Sequence, residues 1–280
     1  MLLRSHIIDM QWIKENLNHE KLVIADCRFH LTEPEKGYEE YKQEHIQGAV
    51  YFHLENDLSA PTGKHGGRHP LPDAEQFSSV MGKAGIQRDS LVVAYDDQSG
   101  GMASHLWWLL KYYGHEEVYV MREGFSHWKA AGYPVDNELP ALKEAVYRAE
   151  PDSDMLASME DVRKALHDPE VRLIDSRAEE RFFGISEPFD PVAGHIPSAE
   201  QEDWLNRSDE EGRLKDKNTW EKEMQPYAGG EEEIIVYCGS GVTACVNVLA
   251  LAETGRKAKL YAGSWSDWIS YEDNPVSRKK

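Results

Sequence analysis

The sequence predicts two tandem α/β domains, each a parallel sheet with helices on both faces. Two observations carry this reading. An ordered set of segments recurs along the 280 residues. Within each copy, short apolar runs alternate with helix-period patterns. Leu22-Val23-Ile24-Ala25-Asp26-Cys27-Arg28 returns as Arg172-Leu173-Ile174-Asp175-Ser176-Arg177, an apolar strand followed by Asp-x-Arg. Glu44-His45-Ile46-Gln47-Gly48-Ala49 returns as Gly194-His195-Ile196-Pro197-Ser198-Ala199. Strand 91–95 returns at 234–237, Gly124-Phe125-Ser126-His127-Trp128 as Gly263-Ser264-Trp265-Ser266-Asp267-Trp268, and Pro134-Val135 as Pro275-Val276. Five matches in one order set the domains at 1–140 and 152–280.

In the first copy, residues 10–17 read as a helix, 22–27 as a strand, 75–84 as a helix and 91–95 as a strand. Helix 103–113 and strand 118–121 complete it. The second copy repeats the scheme: helix 158–167, strand 171–175, helix 217–224, strand 234–237, helix 242–253, strand 258–262. Strands separated by helices imply parallel pairing, with any binding crevice beyond the carboxyl ends of the strands. Residues 137–155 are polar, with Pro140 and Pro151, and read as an exposed linker. The basic tail after Ser277 is expected to fray.

Composition narrows the function. Lys and Arg number 31 against 50 Asp and Glu, a formal net charge of −19. That balance opposes general binding to nucleic acid or to anionic membrane surfaces. An anionic substrate would need a locally positive pocket. No apolar run is long enough to span a membrane. The opening Met1-Leu2-Leu3-Arg4-Ser5-His6 lacks an apolar signal region. The three cysteines, Cys27, Cys238 and Cys245, suit a reduced, cytoplasmic protein.

The segment Val236-Tyr237-Cys238-Gly239-Ser240-Gly241-Val242-Thr243-Ala244 carries the chemistry. A strand delivers a cysteine to its carboxyl end, two glycines permit a tight turn, and a helix begins. That path turns backbone N–H groups inward and adds the positive end of a helix dipole. Both favour thiolate over thiol and can hold an anion beside the sulfur. Cys245 lies seven residues on, too far along a helix for a disulfide with Cys238. It reads as core packing, as does Cys27.

With these motifs in order, the chain resembles the tandem-domain rhodanese-like sulfurtransferases over essentially its whole length. The resemblance implies that the second copy is catalytic and the first inactive, since Asp96 stands where the first copy would carry the cysteine. It implies a Cys238 thiolate that takes a sulfane sulfur from a small anionic donor as a persulfide. The sulfur then passes to a thiol or cyanide acceptor, a thioredoxin-like protein among the candidates. No cofactor or metal is expected: His65 and His69 are four apart, but their glycine- and proline-rich surroundings oppose a helix.

The neutral Cys-Gly-Ser-Gly-Val-Thr-Ala loop is similar to that of the 3-mercaptopyruvate enzymes. Thiosulfate-preferring relatives carry cationic residues at the positions of Gly239 and Ser240. The resemblance therefore favours mercaptopyruvate slightly. It implies that Ser240 joins His69, with Glu55 or Asp57 as an acid. Arg181 matches the arginine that binds the substrate anion. Gly239, Gly241, Val242 and Thr243 would line the donor site, with Trp265 as pocket wall or core. The chain departs from the family at Phe189-Asp190, where mercaptopyruvate enzymes often carry a second arginine after a Glu-Pro pair. Ser198 stands for a usual glycine, read as a turn variation.

The alternatives are a thiosulfate-preferring enzyme and a persulfide carrier without small-donor turnover. A Cys-x5-Arg phosphatase is excluded, because position 244 is Ala244.

Overall fold

The computed structural model describes residues 5–278; residues 1–4, where the opening segment begins, and 279–280 lie outside it. The chain divides into two compact units, each built on one sheet. Of the described residues, the first holds 5–60, 72–152 and 208–214, and the second 61–71, 153–207 and 215–278.

The first unit contains β1 (Ile7–Ile8), α1 (Met10–Asn16), β2 (Leu22–Asp26), α2 (Lys36–Gln43), β3 (His45–Ile46) and β4 (Val50–Tyr51). It continues with α3 (Ala74–Lys83), β5 (Leu91–Tyr95), α4 (Gly101–Tyr112), β6 (Val118–Met121), α5 (Phe125–Ala130) and β7 (Val135–Asp136). Its sheet runs β1-β6-β5-β2-β4 with every pairing parallel, and β3 and β7 form a separate antiparallel ribbon. Asp9 and Asp73 cap α1 and α3 by accepting the N–H groups of Trp12 and Gln76.

The second unit contains α6 (Met159–Ala165), β8 (Val171–Asp175), α7 (Glu179–Phe182), β9 (Glu200–Gln201), α8 (Lys217–Glu223) and α9 (Gln225–Ala228). It closes with β10 (Glu233–Tyr237), α10 (Ala244–Glu253), β11 (Lys259–Leu260) and α11 (Ser264–Trp268). Its parallel sheet runs β11-β10-β8-β9. A parallel bridge from Leu156 to Leu260 stands where β1 pairs β6 in the first repeat, and His195–Ser277 stands where β3 pairs β7. Side chains alternate along β10, and Ile234 to Tyr237 are all buried, so both faces of the sheet are covered. Ile235 and Tyr237 share a core with Val162, Leu173, Trp265 and Trp268.

The elements expected from the sequence form, with ends moved by at most two residues. Helix 242–253 begins at Ala244 and strand 258–262 shortens to Lys259–Leu260. The expected exposed linker is in part docked. Tyr147 is buried, and the N–H groups of Ala145 and Ala149 donate to the Gly82 carbonyl and the Ser78 hydroxyl. The tail is tied as far as Arg278, whose Nε donates to the Ala193 carbonyl. Ser198 takes a left-handed φ of 66°, the conformation Gly48 adopts at the matching turn, which explains a glycine preference there.

The Asp-x-Arg motif is a buried ion pair in both repeats. Arg177 bonds Asp175 through Nε and Nη2, with Nη2 also reaching the Gly194 carbonyl. Arg28 does the same with Asp26 and the Glu44 carbonyl. Each motif thus ties a strand end to the turn that follows. Arg177→Met leaves Asp175 and Glu187 buried beside a neutral side chain, at an expected cost of about 3–5 kcal/mol. The loss should appear as a lowered urea midpoint for the second repeat; an unshifted midpoint would show that the pair does not hold the fold.

Candidate active site

Cys238 follows β10 directly and is buried. Its N–H donates to the Ser264 hydroxyl, its carbonyl accepts from the Trp265 N–H, and the Gly239 carbonyl accepts from the Ser266 N–H. The start of α11 therefore fixes the backbone on both sides of the sulfur. Gly241 has φ 80°, and a Cβ there would lie 2.1 Å from the Ala262 carbonyl oxygen, so only glycine fits. The first bonds of the helical turn are donated by Cys245 and Val246, to Val242 and Thr243. The N–H groups ahead of them lie outside that ladder, and N-cap Thr243 makes no side-chain cap bond. An anion beside Cys238 meets a helix start whose donors are not spent on capping.

The first repeat shows what such a loop holds. The buried Asp96 carboxylate follows β5 and accepts the N–H groups of Gln98, Gly100, Met102 and Ala103. Burial pushes this carboxyl up, against the four N–H bonds, which pull it down. A side chain of the protein itself fills the anion cradle there.

His69 and Ser240 come together although 171 residues separate them: Nδ1 of His69 lies 2.8 Å from Oγ of Ser240. Both are buried. Burial, assisted by the neighbouring Arg68 charge, lowers the His69 pKa to about 4. The imidazole is therefore neutral at pH 7 and can accept the serine proton. Asp57, one of the two acids named from the sequence, accepts the N–H of His53 in its own turn, and Glu55 donates its N–H to Nδ1 of His53.

Arg181 reaches the same place. A Cβ on Gly239 would lie 3.1 Å from Nη2 of Arg181 and 3.0 Å from Nη2 of Arg68. Two guanidinium heads thus stand over the residue after the cysteine. Glu187 receives Nε of Arg181, and Asp190 bridges Arg181 and Arg68. Arg68, Glu187 and Asp190 are the site residues that sequence reasoning missed. The available signal was the place of Arg68 next to His69.

Val242 is buried at the helix start. Trp265 is fully buried beneath the loop; its indole N–H donates to the Val192 carbonyl, and the Arg177 guanidinium lies over its ring. The thiols of Cys245 and Cys27 are pushed well up by burial, as expected of packed cysteines. His65 and His69 do not converge on one point: Nδ1 of His65 meets the Ser270 hydroxyl, and its ring stacks on Tyr271. His195 stacks on Phe182 and bonds its carbonyl, a structural placement.

A family model described as "Rhodanese-like domain" matches twice, over residues 9–131 and 158–271. A probable 3-mercaptopyruvate sulfurtransferase of Pseudomonas aeruginosa is 38% identical over 278 residues, covering 98% of each chain. A putative thiosulfate sulfurtransferase of Mycobacterium tuberculosis, SseB, is 35% identical and covers 91% of this chain and 90% of its own. The crystal structure of SseA from Escherichia coli, a 3-mercaptopyruvate enzyme, superposes with a TM-score of 0.83 at 30% identity, covering 94% of this chain and 99% of that one. Two matched repeats and end-to-end similarity to such enzymes place this chain in the tandem rhodanese-like family of sulfurtransferases.

Proposed function

We propose that the enzyme moves a sulfane sulfur through a persulfide on Cys238, with 3-mercaptopyruvate as the favoured donor and thiosulfate as the second. The observation that carries the donor choice is the 2.8 Å contact between the Ser240 hydroxyl and a His69 imidazole kept neutral by burial. Mercaptopyruvate presents a thiol that must lose its proton; thiosulfate has none to lose.

With mercaptopyruvate, the Cys238 thiolate attacks the donor sulfur and an S–S bond forms. The C–S bond breaks, and its electron pair leaves with the carbon as the enolate of pyruvate. The thiol proton passes through Ser240 to His69 and returns to that carbon, so pyruvate departs and Cys238 keeps an S–S⁻ group. Backbone N–H groups of the loop stabilise this anion. Cyanide or an acceptor thiolate then attacks the outer sulfur and leaves as thiocyanate or a new persulfide, restoring the thiolate. With thiosulfate, sulfite carries away the electron pair and no proton moves. A thioredoxin-like protein is a suitable thiol acceptor. The three free cysteines fit a reducing, cytoplasmic setting, and among the described residues no helix is long and apolar enough to cross a membrane.

The test is kcat/KM for both donors with cyanide as acceptor and Cys238→Ser as blank. A mercaptopyruvate preference is expected, and Cys238→Ser should abolish transfer with both donors; turnover near the parent rate would sink the assignment. Ser240→Ala is expected to cost about 100-fold in kcat/KM for mercaptopyruvate and far less for thiosulfate. Equal losses would remove the proton relay.

The state of His69 sets a pH signature. Its ordinary titration near 6.5 is moved to about 4, so mercaptopyruvate turnover should show no histidine limb at 6.5 from this residue. Stability follows the same shift: the unfolded chain takes up a proton near 6.5 that the folded chain refuses until about 4. The stabilising contribution is therefore complete above 6.5 and lost as pH falls toward 4. An NMR titration of the ring near 6.5 would contradict this.

A further inference from the structure

We infer that Arg68 supplies the second arm that binds the donor's anionic group, and that Asp190, bonded to both Arg68 and Arg181, sets the charge of that arm pair and so the choice of donor. The inference rests on the donor reading above and names the residues that decide it.

The position after the Glu187-Pro188 pair carries Phe189-Asp190, so no arginine comes from there. One comes instead from the Gly66-Gly67-Arg68-His69 segment. Nη1 of Arg68 pairs with Oδ1 of Asp190, and Nη2 of Arg181 lies 3.2 Å from Oδ2 of the same carboxylate. Glu187 takes Nε of Arg181. Nη2 of Arg68 and Nη1 of Arg181 remain, 3.0 and 3.3 Å from where a Gly239 Cβ would stand. No carboxylate among the described residues is bonded to either. These two donors face the loop beside the sulfur, the arrangement a carboxylate or sulfonate oxygen requires.

Arg68 is held there by the scaffold that holds the nucleophile. Its N–H donates to the Ser266 hydroxyl, and the Gly66 N–H to Asp267. The Ser266 N–H in turn holds the Gly239 carbonyl. A Cβ on Gly67 would lie 2.4 Å from the Gly263 carbonyl oxygen, so the segment approaches that turn as closely as glycine allows. The Arg68 side chain keeps 32% exposure while Asp190 keeps 2%, so an incoming anion can reach the arginine but cannot readily displace the carboxylate.

Charge gives the specificity argument. Glu187, shared with Arg177, already offsets part of the Arg181 charge, and Asp190 offsets one further unit of the arginine pair. A donor whose anionic end carries a single charge suits this face better than compact, dianionic thiosulfate. Asp190→Asn keeps the shape and an acceptor oxygen but removes the cancelling charge.

The experiment measures kcat and KM for both donors in wild type, Arg68→Gln, Arg68→Lys and Asp190→Asn, with cyanide as acceptor. Arg68→Gln is expected to raise KM for both donors by about tenfold or more, with a smaller change in kcat. Arg68→Lys should recover part of that loss. Asp190→Asn should raise the ratio of thiosulfate to mercaptopyruvate kcat/KM by about fivefold or more. An unchanged KM in Arg68→Gln, a loss confined to kcat, no recovery by lysine, or a ratio that stays or falls in Asp190→Asn would each overturn the inference while leaving the wild-type reaction intact. A wild-type enzyme that turns over neither donor would overturn the functional reading, and this inference with it.

Discussion

A chain of alternating charges runs from the end of the second sheet to the nucleophile loop: Asp175, Arg177, Glu187, Arg181, Asp190, Arg68. Each member but the terminal two is held between opposite charges. Asp175, Arg177, Glu187 and Asp190 have side chains at most 3% exposed. Taking such groups out of water is costly, and mutual pairing offsets the cost only when every member is present. Geometry follows from this constraint. Asp175 is fixed as the last residue of β8, so Arg177 is fixed, and through Glu187 and Asp190 the two arginines over Gly239 are fixed in turn. The site's cations are placed by the strand end that sets the fold, rather than by flexible stems searching for an anion.

The first repeat uses the same start and stops early. Asp26 pairs with Arg28, whose guanidinium also meets the Glu44 carbonyl and the faces of Tyr95 and Phe125. Tyr95 donates its hydroxyl to Asp26, and among the described residues no ion pair carries the series further toward the loop after β5. That loop meets its own carboxylate, Asp96, on four N–H groups. One repeat fills its anion cradle covalently. The other leaves loop donors for an external anion and surrounds them with arginines whose charge is partly cancelled. The same backbone plan thus yields a closed structural turn in one copy and a candidate reaction centre in the other.

Much of this was legible in the sequence, for identifiable reasons. The long strands β2, β5, β6, β8 and β10 are mostly apolar and rich in Val, Ile and Leu, and burial on both faces makes such runs readable. β1, β3, β4, β7 and β9 are two residues each and carry no periodicity to read. Cys238 was legible because a strand, two glycines and a helix start occur within one window. The Ser240–His69 pair was legible only through resemblance, since 171 residues separate its members. The Arg68–Asp190 bond spans 122 residues, and no local pattern encodes it. Asp190 read as a lost arginine, when it is the carboxylate that holds another arginine in place.

The donor question then reduces to two physical features acting on one loop. A neutral histidine beside Ser240 helps only a donor that carries a transferable proton. An arginine pair discounted by Asp190 favours a donor whose anionic end bears a single charge. Both features point to the same substrate through different leading causes: burial, assisted by the Arg68 charge, lowers the His69 pKa, whereas Asp190 acts on the charge of the arginine pair. In the proposed reaction they enter at different stages, the arginine face in holding the donor and the serine–histidine pair in breaking its C–S bond. The segment 65–69 carries a member of each, because its backbone is bonded to the turn that fixes Cys238 and Gly239. On the proposed mechanism, binding and proton transfer are therefore both set by one short segment, and the loop bearing the sulfur can stay free of side-chain charge.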